Sequence, residues 1–457
     1  MSVLDDTTEV RDGRLLVDGV DVAELAGRTA TPFFLFSAQR LRWNVESIRG
    51  AFTRRHLDTE VFYACKACSL LWVLRQVHAA GIGVEVNSGG ELWRALQAGF
   101  APDQIVFNGI AKTVAEIREG LRLGIRCFLV DSLFELERIA SVAASMGLPA
   151  PVALRVDVGV TTHTHPAMTT SAGGKAGIDL DDALDGYRFA AAHASLRPIG
   201  LHTHIGSQIT SPAPYTRALE TALDLVERIE SECGLALEFV DIGGGLPRPY
   251  VDVDPGLVAD PDDFFQAPHD VDEYAEALCA VLDRRRPSLT LFLEPGRAVV
   301  SDAAVLVSRV EAVKRKTLRD GAGERAGDEH YLILDAGYNT LPESYLVDWY
   351  YPAVVASRLD EGARSEFVLA GPLCDSGDVF PGDPGSHLRR LAAGTGPGDV
   401  VVFGGVGCYS IELMTPFMAR PPAAAYAVED GRVIEIRRRQ SQEELVAGDL
   451  SWQASPR

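Results

Sequence analysis

The chain has 457 residues, and its 47% hydrophobic and 23% charged residues are typical of a globular protein with room for two hydrophobic cores. A formal net charge of -21 argues against a nucleic-acid or anionic-membrane partner, because phosphate binding requires a basic surface. The sequence shows no secretory signal at its start, and no stretch approaches the ~20 apolar residues that span a bilayer. Its seven scattered cysteines indicate reduced thiols, so we expect a cytoplasmic protein.

Short apolar segments alternate with segments of helical period through the first part of the chain. The predicted strands are residues 61–64, 83–86, 105–107, 127–130, 152–156, 199–202, 239–242 and 289–293. The predicted helices between them include residues 69–80, 90–98, 114–123 and 133–145. Continuous apolar strands separated by helices indicate a parallel sheet covered by helices, and eight such units suit a (β/α)8 TIM-like barrel. An open doubly wound sheet is the competing interpretation, but no G-x-G-x-x-G motif opens the first helix.

After about residue 300 the pattern changes to strands with few helices between them. These strands are residues 305–310, 331–334, 366–369, 400–403, 425–428 and 432–436, and an early strand is predicted at 14–17. We therefore predict an α/β protein in which residues 1–31 join the β-domain, residues 32–298 form the barrel and residues 299–457 form a mostly β C-terminal domain. Residues 248–272, rich in Asp and Pro, are predicted to be a long loop, either a lid or a solvated excursion.

The chemistry of a barrel lies at the carboxyl ends of its strands. Lys66 ends the first predicted barrel strand, where its amine can attack an aldehyde. Residues 243–245 are three consecutive glycines after the seventh strand, and their N–H groups can bind a phosphate. Glu294 and Arg297 follow the eighth strand and suit a ligand with both a protonatable ring nitrogen and an anionic group. The structural alternatives are a solvated lysine, a tight turn and an ion pair between Glu294 and Arg297.

Two histidines follow the sixth strand. His202 and His204 are two positions apart, so on a strand both side chains could enter the site. This H-x-H is the one argument for a metal, with His269 the only further histidine downstream in the barrel. A planar imidazole stacked on a cofactor ring fits the position of the pair better, and we predict no metal.

The second domain contributes two glycine-rich loops. Cys374 and Asp375 lie in the first, where they could act as a proton donor and as a binder of a substrate amine. The alternative is a plain buried cysteine in a turn. Tyr409 lies in the second loop, residues 404–410.

Taken together and in this order, these motifs resemble those of the fold type III, alanine-racemase-like decarboxylases that depend on pyridoxal 5'-phosphate (PLP). Within that group the chain is similar to the diaminopimelate, ornithine and biosynthetic arginine decarboxylases, from about Thr31 to Leu450. The resemblance implies a PLP-dependent carboxy-lyase of amino-acid metabolism. It also implies a homodimer with shared active sites, because in this family the loop matching Cys374 reaches the active site of the partner subunit.

The resemblance implies a role for each candidate residue. Lys66 matches the lysine that carries the cofactor as a Schiff base, and Cys374 matches the proton donor. Asp375 matches the acid that meets the distal amino group of the substrate, and Tyr345 is a candidate for a neighbouring substrate position. The other matches are Glu91 near the lysine and imine, Arg155 near the phenolic oxygen, His204 on the pyridine face, Ser207, Gly243, Gly244 and Gly245 at the phosphate, Glu294 on the pyridine nitrogen, and Arg297 and Tyr409 near phosphate and substrate.

Two departures from the family pattern bear on the substrate. Diaminopimelate decarboxylases usually carry an arginine shortly after an Asp-Ala-Gly-x-Asn turn, where it binds the distal carboxylate, but residues 335–345 here contain none. The pair Cys374-Asp375 matches the ornithine and arginine enzymes, whereas residues 163–166 and 174–178 are closer to the diaminopimelate branch. The mixed pattern predicts a diamino acid like lysine, ornithine or diaminopimelate, of L or D configuration, or a conjugated amino acid of a specialised pathway.

Three alternatives use the same sequence features. A racemase on this scaffold usually has an arginine at the pyridine nitrogen, so Glu294 disfavours it. A non-catalytic PLP carrier of the single-domain barrel type would not need the second domain with Cys374. A metal-dependent hydrolase usually has its H-x-H near the chain start, whereas here the pair falls past the middle of the barrel.

Overall fold

The computed structural model describes residue 4 and residues 6–251, 264–384 and 386–449. The chain forms two units by its internal contacts: a β unit of Met1–Arg40 with Val300–Arg457, and a barrel unit of Leu41–Val299. Residues 252–263, the middle of the loop predicted at 248–272, lie outside the described residues, and so does its interpretation as a lid. Among the described residues, no helix combines the length and the apolar character needed to cross a membrane.

The first elements of the chain belong mainly to the β unit. They are β1 (Thr8–Arg11), β2 (Arg14–Val17), β3 (Val20–Asp21), α1 (Val22–Arg28), β4 (Phe33–Ser37) and α2 (Ala38–Thr53). Strands β1 to β3 form an antiparallel sheet of their own. Strand β4, with all five residues buried, was not predicted as a separate strand.

The barrel unit alternates strands and helices. Its strands are β5 (Thr59–Ala64), β6 (Gly83–Val86), β7 (Ile105–Phe107), β8 (Cys127–Val130), β9 (Ala150–Asp157), β10 (Ile178–Asp179), β11 (Leu196–His202), β12 (Phe239–Asp241) and β13 (Thr290–Leu293). Its helices are α3 (Leu71–Ala79), α4 (Gly89–Ala98), α5 (Val114–Leu123), α6 (Leu133–Met146), α7 (Leu180–Ala192), α8 (Pro212–Cys233), α9 (Val271–Arg285) and α10 (Arg297–Val300). All eight predicted barrel strands are therefore confirmed.

Parallel pairing closes the barrel. Strands β5, β6, β7, β8, β9, β11, β12 and β13 pair in that order, and β13 returns to pair with β5. Aromatic rings fill part of the interior, where Phe239 and Phe292 stack with centroids 3.9 Å apart. The helices have clear termini: Thr113 and Glu116 form a capping box at the start of α5, and Gly124 ends it in the left-handed conformation.

The chain after the barrel is mostly sheet. Its elements are β14 (Ala304–Arg319), β15 (Arg325–Leu334), α11 (Glu343–Leu346), β16 (Ala353–Val355), β17 (Arg364–Ala370), β18 (Arg389–Ala392), β19 (Val400–Phe403), β20 (Ala424–Glu429), β21 (Arg432–Arg437) and α12 (Gln442–Leu445). The sheet runs β18-β17-β15-β14-β4-β20-β21; β19 also pairs with β14, and β16 pairs with β19. The predicted mostly β C-terminal domain is confirmed.

Strand β4 lies between two strands from the other end of the chain. It pairs antiparallel with β14 and parallel with β20. The buried side chains of Phe33, Leu35, Val305 and Val428 belong to one core cluster. The N-terminal part of the β unit therefore extends to Arg40, nine residues beyond the predicted boundary at residue 31, because β4 completes this sheet rather than the barrel.

Candidate active site

Lys66 lies in a short 3-10 turn, Cys65–Ala67, directly after β5. Its side chain is exposed, whereas Cys65 and Ala67 on either side are buried. The positive charge of Lys66 acts on the acids and histidines at the ends of neighbouring strands, where it shifts the pKa of Glu85, Glu294 and His204. The amine is therefore placed among the strand-end groups, as the sequence predicted.

Glu294 follows β13 and is 5% exposed. Its Oε2 atom lies 3.3 Å from Nε2 of His202 on β11. Burial raises the pKa of Glu294 to about 7, against the opposing effect of the Lys66 and Arg155 charges. Burial also holds the pKa of His202 well below its usual range, with a further contribution from Arg155, so the imidazole is neutral at pH 7.

Two buried acids beside Glu294 were not among the predicted site residues. Glu85 on β6 is fully buried, and burial, together with the charge of Glu294, raises its pKa to about 7. Asp241 ends β12, is also fully buried, and has its pKa raised well above its usual range by burial and by Glu294. The available signal was an acid inside an otherwise apolar predicted strand. Such an acid is rarely buried without a specific reason.

The three-glycine loop after β12 packs against His204. The N–H of Gly244 donates to Nδ1 of His204 at 3.2 Å. This hydrogen bond holds the imidazole ring against the loop. Gly243 and Gly245 have positive φ of 69° and 96°, a conformation that favours glycine. A Cβ on Gly244 would collide with the carbonyl oxygen of Glu294. Only glycines fit this close approach of the loop to the backbone of Glu294 and to the imidazole of His204.

Arg297 starts α10 and is 2% exposed. Its guanidinium donates to the hydroxyl of Tyr250 at 2.8 Å and to Oγ of Ser207 at 3.4 Å. The predicted pair Ser207 and Arg297 is therefore brought together. Tyr250, which sequence reasoning missed, orients the guanidinium, and no pattern in the sequence pointed to it.

Arg155 and Glu91 occupy different surroundings. Arg155 on β9 is 8% exposed, faces His202 in the strand register, and lies 4.0 Å from Asp131. Glu91 is half-buried at the start of α4, where its Oε2 accepts the N–H of Asn87 at 2.7 Å. The visible contact of Glu91 thus stabilises a helix terminus, and its predicted role beside the lysine stays a prediction.

Within the β unit, the Cys374 loop brings together several predicted residues. Cys374 is the exposed one of the seven free cysteines, so the alternative of a buried cysteine in a turn is wrong. The hydroxyl of Tyr338 donates to Oδ2 of Asp375 at 2.8 Å, and its ring stacks on that of Tyr345 with centroids 4.5 Å apart. Tyr409 lies half-buried in the second glycine-rich loop with a positive φ of 54°.

In the part of the chain that the structure describes, His269 does not join His202 and His204 in a group that could bind a metal ion. His269 is exposed and its Nδ1 lies 3.0 Å from Glu273, four residues further along the chain. Among the described residues, the one group whose donor atoms could converge on a cation is His202, Asp241 and Glu294, within 4.8 Å of one another.

A parallel barrel whose strand ends carry a lysine, a buried acid and a three-glycine loop defines a barrel enzyme that binds a phosphorylated, nitrogen-containing cofactor. Residues 40–301 match the family described as "Pyridoxal-dependent decarboxylase, pyridoxal binding domain". The chain belongs to the pyridoxal-dependent decarboxylases: it is a carboxy-lyase whose cofactor is PLP.

Individual relatives extend the match to nearly the whole chain. The chain is 35% identical to a diaminopimelate decarboxylase of Pseudomonas aeruginosa, covering 97% of this chain and 99% of the relative. The crystal structure of diaminopimelate decarboxylase from M. jannaschii in co-complex with L-lysine has a TM-score of 0.85 and 30% identity, covering 97% of this chain and 98% of that one. A lysine/ornithine decarboxylase from Vibrio vulnificus has the same fold, with a TM-score of 0.73 and 24% identity over 89% of this chain and 96% of that one.

The residues at the strand ends fit PLP. Arg297 with Ser207 offers donors for a phosphate, and a Cβ on Gly244 or Gly245 would collide with the backbone of Glu294 or Gly206, so the loop conformation requires glycine. Oε1 of Glu294 is buried without a hydrogen-bond partner, as expected of an acid that serves a protonated ring nitrogen. The side chain of Lys66 is exposed, as covalent attachment of a cofactor requires.

Proposed function

We propose that the protein removes the α-carboxylate of a diamino acid whose distal end is cationic. The observation that carries this proposal is the environment of Asp375. The N–H of Gly377 and the hydroxyl of Tyr338 each donate to its carboxylate at 2.8 Å. These hydrogen bonds hold the pKa of Asp375 below its usual range, so the side chain is an anion at neutral pH.

Aromatic rings surround this anion. Tyr338 stacks on Tyr345 and, with a centroid distance of 6.0 Å, on Phe417. Tyr345 is 52% exposed and Phe417 is 43% exposed. A carboxylate beside exposed ring faces suits an ammonium group, which gains both an ion pair and cation–π contacts. The relatives named diaminopimelate decarboxylase, and the co-complex with L-lysine, support a diamino acid as the substrate.

The substrate's distal end is proposed to lack a carboxylate. Residues 335–345 contain no arginine to pair with one, and their side chains include the stacked Tyr338 and Tyr345 instead. An unpaired carboxylate beside Asp375 would be disfavoured by like-charge repulsion. Lysine or ornithine, in L or D configuration, or a conjugate that keeps a distal cation, therefore fits better than meso-diaminopimelate.

We assign the cofactor-binding groups as follows. Lys66 would hold the cofactor covalently, and the neutral His204 would pack against its ring. The phosphate would be bound by Ser207, Gly243, Gly244, Gly245 and Arg297, with Tyr409 nearby; Arg155 would meet the phenolic oxygen and Glu91 the lysine region. Glu294 would keep the ring nitrogen protonated through its carboxylate.

When bound, PLP supplies a ring that accepts the electron pair left as the Cα–carboxylate bond breaks. Side chains of the protein would carry out the other steps of the reaction. Asp375 would bind the distal ammonium and so orient the α-carbon. Cys374 would donate the proton on Sγ to Cα, and the Lys66 amine would release the product.

We infer that the active form is a homodimer in which the Cys374 loop serves the partner's barrel. The exposure of Cys374 supports this, because a proton donor needs a water-excluded site. Met418, whose sulfur accepts the N–H of Cys374, and its neighbour Phe417 are also exposed in the single chain. Mixing equal amounts of Lys66→Ala and Cys374→Ala proteins tests the inference: the mixture should regain about a quarter of the native activity, because about half of its dimers are hybrids and each hybrid has one intact site of two. Failure of any restoration would argue for a site completed within one chain.

The substrate assignment is tested by CO₂ release from a panel of amino acids. The panel contains lysine and ornithine, each in L and D form, and at least one of these four should be decarboxylated faster than meso-diaminopimelate. Asp375→Asn should raise the KM for the diamino acids by about tenfold or more, while the matched variant Asp224→Asn on the exposed side of α8 should not. Faster turnover of meso-diaminopimelate would contradict a distal cation, and enantiomer exchange without CO₂ release would indicate a racemase.

A further inference from the structure

Three adjacent barrel strands end in buried ionisable side chains. His202 ends β11 and is paired in register with Asp241, which ends β12; Glu294 follows the next strand, β13. The side chains of His202 and Asp241 have no exposed surface, and Glu294 is 5% exposed. One donor atom from each lies within 4.8 Å of the others. Two acids this close and this deeply buried cannot both carry a charge without a large cost in free energy.

The hydrogen bonds around the two acids leave one oxygen on each without a partner. Oδ1 of Asp241 accepts the N–H of Gly243 at 2.8 Å, and Oε2 of Glu294 lies 3.3 Å from Nε2 of His202. Oδ2 of Asp241 and Oε1 of Glu294 are buried with no hydrogen-bond partner as long as both carboxyls are ionised. A single proton between these two oxygens would give each of them a hydrogen bond.

The charges around the pair decide which acid holds the proton. Lys66 and Arg155 act on Glu294 and favour its charged form. Asp241 instead faces the negative charges of Glu294 and Glu85, which favour its neutral form. Of the other titratable groups nearby, His202 is neutral, and burial raises the pKa of the Cys127 thiol so that it stays neutral. The proton therefore belongs on Asp241.

We propose that Asp241 is a positioning residue that stays protonated at neutral pH and donates a hydrogen bond from Oδ2 to Oε1 of Glu294. The pair then carries one negative charge, which resides on Glu294. Through Oδ1, the same side chain accepts the N–H of Gly243, so Asp241 links the acid to the glycine loop. This protonation state is a property of the protein alone. The proposed purpose of this protonation state is to keep Glu294 an anion that can bind the ring nitrogen of PLP, and this purpose rests on the proposed role of Glu294.

Infrared spectroscopy of the apoprotein tests the protonation state without any turnover. At pH 7 the native protein should show the carbonyl band of protonated carboxyl groups, part of which comes from Glu85 with its pKa of about 7, and Asp241→Asn should remove the part that Asp241 contributes. Asp224→Asn, the same substitution at an exposed position, should leave the band in place. Absence of a band that depends on Asp241 would overturn the proposal. A stoichiometric divalent metal ion that is lost in Asp241→Asn would also overturn it, because a cation held by the same three groups requires both acids ionised.

The affinity for PLP distinguishes a positioning role of Asp241 from a merely structural role of this residue. Asparagine keeps a donor for Glu294 and an acceptor for Gly243, so Asp241→Asn should bind PLP within several-fold of the native affinity. Asp241→Ala keeps neither and should bind PLP at least about tenfold more weakly. The pH at which bound PLP changes its absorption should stay the same in Asp241→Asn and shift in Asp241→Ala. Equal weakening in both variants would contradict the proposal. If Asp241→Ala does not fold, the infrared comparison and the Asp241→Asn titration still decide it.

Discussion

A Cβ atom on Gly243 would stand 2.5 Å from Nδ1 of His204. Gly243 also has a φ of +69°, which L side chains rarely adopt. Gly243→Ala must therefore displace the imidazole or distort the loop. We expect it to weaken PLP binding by about tenfold or more and to lower Tm by several degrees, measured by titration of the apoprotein and by calorimetry. Gly321→Ala, at a position with nothing within 4 Å, should change neither quantity.

Lys66 is expected to be the site of covalent attachment. Reduction of the holoenzyme with borohydride, followed by peptide mapping, should place the cofactor label on the peptide that contains Lys66. Lys66→Ala should abolish both the label and decarboxylation, because it removes the amine that is expected to react with the cofactor. Lys316→Ala removes an exposed lysine of β14 and should leave both intact. Native turnover by Lys66→Ala would make the assignment wrong.

Arg297 is expected to bind the cofactor through its phosphate. Arg297→Met should weaken PLP affinity by about ten- to a hundredfold, the usual range for a lost hydrogen bond to a charged group. The affinity for pyridoxal, which lacks the phosphate, should change much less. Arg284→Met, which removes an exposed arginine of α9, serves as the control. Equal losses for PLP and pyridoxal would show that Arg297 acts on the fold and not on the phosphate.

Glu85 makes the stability of the apoprotein depend on pH. Its folded-state pKa of about 7 lies above the ordinary value of 4.5, so the folded protein holds more protons than the unfolded chain between these values. The contribution of this group to stability is complete below pH 4.5 and is lost as the pH rises through 7. The loss is on the order of 3 kcal/mol. Glu85→Gln should flatten the decline in the free energy of unfolding over this interval, measured with urea, whereas Glu276→Gln on the exposed face of α9 should not.

Tyr338 is expected to act on the substrate through Asp375. Tyr338→Phe keeps the ring stacked on Tyr345 but removes the hydroxyl that donates to the carboxylate. We expect the KM for lysine or ornithine to rise by roughly threefold to tenfold with a smaller change in kcat. Tyr426→Phe, which removes a hydroxyl near Glu435 on β21, is the matched control. A fall in kcat alone would indicate that Tyr338 serves the chemical step.

The fold could be predicted from the sequence where a local sequence pattern indicates the position of a segment in the tertiary structure. The barrel strands are mainly apolar and mostly buried, and α5 has the predicted bounds because its capping box and its final glycine are visible in the sequence. Strand β4 was missed because nothing local distinguishes it from the start of a barrel strand. Its partners β14 and β20 come from the other end of the chain.

The candidate site was predictable where a residue type is unusual at its position. Lys66, Glu294 and Cys374 were found because a strand-end lysine, an acid before an arginine and a cysteine beside an acid are informative by themselves. Asp241 and Glu85 were not given roles, since their importance comes from barrel closure. Closure brings strands β6, β12 and β13, far apart in sequence, to one rim, where burial and the charge of Glu294 raise the pKa of both Asp241 and Glu85.

Strand β4 has a consequence for biosynthesis. Its partner β14 is made only after the barrel, so β4 has no sheet partner on the ribosome while the barrel is being made, and its second partner β20 emerges only when nearly the whole polypeptide has been synthesised. The barrel sequence is complete well before that moment and can condense first. Strands that are far apart in the sequence pair slowly. The unpaired strands of the nascent β unit are therefore the part of the chain that most needs protection by chaperones.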